Sequence, residues 1–85
     1  MALVYDEIRI TTRREMAVCE ASIKKLERIV LEMEKKYRIS SAVFQSNFDP
    51  KTVQADSELS RWYENCRALK RWRERLSDHQ RIMEM

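Results

Sequence analysis

The run MAVCEASIKKLERIVLEMEKKY, residues 16–37, decides the fold class of this chain. Met16, Cys19, Ile23, Leu26, Val30, Met33 and Tyr37 follow one another at spacings of 3, 4, 3, 4, 3 and 4 residues. At 3.6 residues per turn, that spacing lays all seven apolar side chains along one stripe of a helix. Ala17, Val18 and Ile29 widen the stripe slightly. Glu20 with Lys24, Glu32 with Lys36, and Glu34 with Arg38 stand four apart, as helical ion pairs do. The pattern predicts a first helix over 13–38, about 40 Å long. Its start is set by Thr12-Arg13-Arg14-Glu15, which matches a capping box.

Upstream, residues 1–11 read as an N-terminal arm. Leu3 to Ile10 (LVYDEIRI) is rich in β-branched and aromatic residues and suits a short strand or an early helical turn. Downstream, residues 39–55 form a connection too long for a tight turn. Ser40 or Ser41 can cap a short helix holding Ala42, Val43 and Phe44, and Asn47, Asp49 and Pro50 end it. Phe44 and Phe48 stand four apart and plug the end of the hairpin.

A second helix is predicted over 57–82, opened by Asp56 or Ser57 and complemented by Glu58 at its positive end. Its seam reads Leu59, Trp62, Cys66, Leu69, Arg73, Leu76, Gln80, Met83. Arg73 and Gln80 interrupt it, and Tyr63 and Trp72 flank it. An arginine in a seam needs a carboxylate or leaves, so the seam is expected to rotate onto Trp72.

Composition agrees with helices. The 85 residues include no Gly and one Pro, which leaves little for the tight turns of strand hairpins. Charged residues make up 36% and hydrophobic ones 44%, too apolar a mixture for a disordered chain. The expected architecture is all-α: an antiparallel hairpin of two long helices with a short connecting helix, in one domain. Such a hairpin buries one stripe per helix and leaves the other flanks wet. Pairing into a four-helix bundle, as a homodimer, is therefore expected. The docking flank is expected to carry Trp62, Tyr63 and Trp72.

Net charge is +3, which permits nucleic-acid contact without demanding it. No apolar run is long enough for a bilayer, and the N-terminus does not read as a signal peptide, so a cytoplasmic protein is expected. The two cysteines, Cys19 and Cys66, are expected to be reduced and buried. Cys19 stands 18 residues from Tyr37 and Cys66 only 7 from Leu59. That offset is roughly 16 Å along a hairpin, beyond the reach of a disulfide.

No catalytic, cofactor-binding or metal-binding constellation emerges. His79, the only histidine, lacks ligands at helical spacing and reads as a solvated helix-terminal residue. Arg67, Arg71 and Arg75 share one helical stripe, a candidate face for nucleic acid or an acidic partner, with Trp72 near enough to stack on a base. Interleaved Glu64, Glu74 and Asp78 favour a solvated face instead. Small dimeric helical mutases hold dicarboxylates with buried Arg and Lys. Here Arg13, Arg14, Lys24, Lys25 and Arg28 sit off the seam, so no enzyme is expected.

The stretch Lys35-Lys36-Tyr37-Arg38-Ile39-Ser40-Ser41-Ala42-Val43-Phe44, followed by Phe48, Asp56 and Trp62, resembles a group of small uncharacterised bacterial and archaeal proteins. Those carry Lys-Tyr-Gly-aliphatic-Ser, a short helix with Phe, an acidic turn and a helix opening with Trp. Some look like antitoxin halves encoded beside toxins. The resemblance covers about residues 35–76 and implies a helix–short helix–helix turn and a protein partner such as a cognate toxin. It departs at Arg38, where a Gly is usual, and assigns no functional residue.

Overall fold

The computed structural model describes residues 2–84, with side chains from Asp6 onward. Three α-helices follow one another: α1, Ala2–Tyr37; α2, Ser41–Asn47; and α3, Glu58–Glu84. A 3₁₀ turn, Pro50–Thr52, links α2 to α3. The described residues contain no strand. The protein is all-α, and α1 and α3 pack together.

The first correction concerns the N-terminal arm. Residues 2–11 belong to α1, and Thr12 is not its cap. Thr12 is 5% exposed, and its hydroxyl donates to the Ile8 carbonyl at 2.7 Å. A threonine that satisfies itself on the turn before can occupy a buried helical position. The heptad therefore runs on: Tyr5, Thr12, Cys19, Leu26 and Met33 stand seven apart. Glu15 does not reach back to Thr12 but lies 3.7 Å from Arg75 of α3. Met1 and the side chains of Ala2–Tyr5, which include the apolar start of the expected arm, lie outside the described residues.

At its other end α1 stops through backbone geometry. Arg38 has φ 55°, the left-handed conformation, and the Ile39 amide donates to the Glu34 carbonyl at 3.3 Å. That six-to-one bond and the aliphatic residue making it are a Schellman termination, a place usually held by Gly. The next residue starts the next element. Ser40 caps α2, its hydroxyl accepting from the Val43 amide at 3.2 Å. Asp49 likewise caps the 3₁₀ turn through the Lys51 amide, with Pro50 at its first position.

The core lies toward the connection. Ile23, Val30, Phe44, Trp62, Cys66 and Leu69 form one buried cluster. Leu26, Met33, Ile39, Phe48, Leu59, Tyr63, Trp72 and Leu76 pack around it. Cys19 is fully buried as well. Side-chain pairs between the long helices run in order: Lys36 with Glu58, Glu27 with Arg73, Glu15 with Arg75. Arg73 leaves the seam for Glu27, and Trp72 is the partly buried residue beside it. Among the described residues, no helix is long and apolar enough to cross a membrane.

Candidate association faces

The flank expected to be open is the one the chain covers itself. Trp62 is 1% exposed. Phe44 of α2 lies parallel to it, ring centroids 3.7 Å apart, and Tyr37 stacks on it at 5.6 Å. Phe48 follows Phe44 and tilts over Tyr63 at 5.3 Å. Thus α2 folds back over the Trp62–Tyr63 side, and the two Phe residues fill the place reserved for a partner. Aromatic pairs of this kind add about 0.5–1.5 kcal/mol beyond the area they bury.

Polar bonds fix α2 in that position. The Trp62 Nε1–H donates to the Ser41 hydroxyl at 3.0 Å, and the Ser41 amide donates to the Glu34 carboxylate at 2.7 Å. Glu34 therefore serves the start of α2 rather than Arg38, its partner by sequence spacing. Lys36 likewise turns from Glu32 to Glu58, at 2.8 Å. Tyr37 is 40% exposed, less buried than the other seam residues of α1, and its hydroxyl donates to the same Glu58 carboxylate at 2.7 Å. These two donors hold the Glu58 carboxyl below the usual glutamate range, Lys36 first and Tyr37 second. The bond to Glu58 in turn raises Lys36 and Tyr37 above their ordinary values.

The remaining seam residues divide by burial. Cys19, Ile23, Val30, Cys66 and Leu69 are buried, and Met16, Leu26, Met33, Leu59, Tyr63, Trp72 and Leu76 are half-buried. Both cysteines are free. Burial pushes the Cys66 thiol up, with the Ser41 hydroxyl acting against it. A raised thiol pKa makes a poor nucleophile.

The basic stripe is exposed and partly engaged. Arg67 lies over the Tyr63 ring at 6.0 Å and 3.8 Å from Glu64. Arg75 lies over Trp72 at 5.5 Å and reaches Glu15. Arg71 makes no such contact among the described residues. Trp72 is thus covered on one side and is not a free stacking platform. His79 differs from expectation: both ring nitrogens are buried and meet no hydrogen-bond partner among the described residues. The described residues also contain no cluster of His, Cys, Asp and Glu able to hold a metal.

Two concave surfaces stand out among the described residues, a shallow one of about 320 Å³ along Glu7, Ile8, Thr11 and Thr12, and a groove beside α2. The groove, of about 590 Å³, runs between α1 and α3 beside the start of α2. Val30, Cys66 and Leu69 form its floor, and Leu31, 49% exposed, stands in it. Leu31 escaped the sequence reading because it lies off the 3-4 seam. The available signal was an apolar residue next to Val30 on a flank otherwise carrying Glu27 and Glu34. Neither family models, curated proteins nor solved structures yield a match to this chain.

Proposed function

We propose that this chain is a non-enzymatic association module: an antiparallel helical hairpin that completes its packing against another helical chain, most simply a second copy, as a four-helix bundle. The observation that carries the reading is surplus surface. The chain exposes 6691 Å². A compact monomer of its mass exposes about 5,350 Å². The surplus of roughly 1,300 Å² exceeds the ~800 Å² that one partner buries in a standard interface. Shape says the same. The radius of gyration is 16.8 Å and the extents are 54 × 24 × 20 Å, where a compact chain of this length has a radius of about 12 Å.

The order of the ion pairs supports the antiparallel hairpin, since partners on α1 descend in number while those on α3 ascend. Two buried, unpaired thiols suit the cytoplasm. A regulatory or antitoxin-like part would be exercised through the same helical contacts.

Sedimentation equilibrium at micromolar concentration tests this. We expect twice the 10.3 kDa chain mass. A folded species of single mass would refute homo-association. The nucleic-acid alternative is tested by titrating single-stranded RNA at low salt. Binding that falls steeply with salt and is lost in Arg71→Glu would favour it over the present reading.

A further inference from the structure

We propose that the α1–α3 groove receives the second copy, with the two-fold axis parallel to the helices, so that Leu31 of each copy enters the groove of the other. The inference rests on the association reading and adds to it the face and the arrangement.

Two flanks of the α1–α3 pair compete for a partner. On one, Arg75 lies over Trp72 and reaches across to Glu15, closing the surface. The other is concave, has an apolar floor and presents Leu31 half in solvent. Leu31 and Val18 stand 13 residues apart, which places them on different flanks of α1. The surplus surface is of the size a dimer face requires, and the groove sets an exposed leucine beside an apolar floor between the two long helices.

The charges at the groove edges choose the axis. Its α1 edge is acidic, with Glu27 and Glu34, and its α3 edge carries Lys70 and Arg73. Glu27 and Arg73 already pair across the groove within one chain, and Glu34 accepts from the Ser41 amide, so Lys70 is the cation left for the partner's acidic edge. Glu74 is the one acidic residue on the α3 side. Two hairpins can meet face to face about an axis along the helices or one across them. The axis across them lays α1 on α1 and brings Glu27 and Glu34 of both copies together. The axis along them lays α1 of one copy on α3 of the other, acid over base. Leu31 lies between Lys36 and Glu27, whose partners on α3 are Glu58 and Arg73, so its height on α3 is that of Cys66, one turn from Leu69. Under the parallel axis it therefore arrives at the height of Cys66 of the other copy, an apolar knob over an apolar floor. Contact is isologous, so one residue contributes twice.

Leu31→Glu tests the face. The side chain is half exposed, so the hairpin should keep its helical circular dichroism. The dimer dissociation constant should rise about a hundredfold, because two leucines leave the interface together. Val18→Glu, an equal charge on the other flank, should leave the mass unchanged. If Leu31→Glu fails to fold, Lys70→Glu reads the same face from an exposed position and should weaken the dimer. A Leu31→Glu protein that remains dimeric, or a Val18→Glu protein that dissociates, overturns the face and leaves the association reading intact. A monomeric wild type overturns both. The axis is read by spin labels on Val43→Cys, the native thiols being buried. Loop ends that lie together give a short distance; one approaching the 54 Å length of the molecule overturns the parallel axis.

Discussion

Gly at position 38 should make this protein more stable than Ala there, by an amount that follows from one dihedral angle. Arg38 sits at φ 55°, where a side chain's Cβ crowds the following carbonyl. For residues other than Gly that conformation costs roughly 1–2 kcal/mol. Gly removes the cost but loses more freedom on folding, about 0.5–1 kcal/mol. The net expectation is a gain of about 0.5–1 kcal/mol. One confounding effect is the cation itself, since a positive charge at a helix C-terminus contributes about 0.3–1 kcal/mol. Arg38→Ala separates the two, losing the charge while keeping the Cβ. Gly should therefore exceed Ala by about 0.5–1 kcal/mol, read by urea melts at matched protein concentration. In a domain of this size that separates the melting temperatures by about 2–8 °C. A Gly variant no more stable than the Ala variant would refute the argument that the turn at Arg38 is strained. The left-handed φ is the physical reason a Gly suits this position.

The Glu58 contact makes stability depend on pH at both ends. Its carboxyl is depressed, so its contribution is present above about pH 4.3, the unfolded value, and is lost as pH falls through the lower folded value. Tyr37 is raised, so its contribution is present below about pH 10 and is lost as pH rises through its folded value. Glu58→Gln should flatten both limbs of a melting-temperature profile, and an unchanged profile would remove Glu58 from the account. His79→Leu should raise stability by about 1 kcal/mol, because two buried nitrogens without partners among the described residues are replaced by an apolar group. A destabilised variant would mean that the ring is held by something else. Hydrogen exchange should show residues 77–84 of α3 opening before residues 59–69, since the buried residues of α3 all lie between Ser60 and Leu69.

Much of the fold was legible because it rests on periodicity. The 3-4 spacing from Met16 to Tyr37 located α1, and the breaks at Arg73 and Gln80 foretold that α3 would turn Trp72 inward. The start of α1 was misread for a specific reason. Thr12 satisfies a capping pattern and an interior position equally well, because its hydroxyl can bond forward as a cap or backward to Ile8. Only the continuing heptad through Tyr5 argues for the interior. The candidate face was harder to read. Phe44 and Phe48 were visible as a plug, but that they would cover Trp62 and Tyr63 depends on where α2 swings. That depends on the left-handed turn at Arg38, which no local residue preference suggests. Leu31 was invisible for the complementary reason, since an off-seam apolar residue acquires meaning only once a groove forms beside it.

Where the packing is concentrated bears on where association should occur. The aromatic stack, the Ser41 bonds and the Glu58 contact all gather at the connected end. Farther along, α3 carries a histidine that meets no hydrogen-bond partner among the described residues, and no residue buried as deeply as Leu69. A binding face is cheapest to form where its side chains are already fixed, because less freedom is lost on docking. The groove at Leu31 abuts the connected end and shares its floor residues with the core, so it is preorganised. The far end is the opposite case. Ile8 and Ile10 are about half exposed there, and that end has the most order to gain. Docking at the groove would carry partner helices along the whole α1–α3 pair, ordering the weak end with binding energy obtained at the strong one. Stability of the far half and dimer affinity should then be coupled, so a change at Leu31 should be felt at His79 although the two residues never touch.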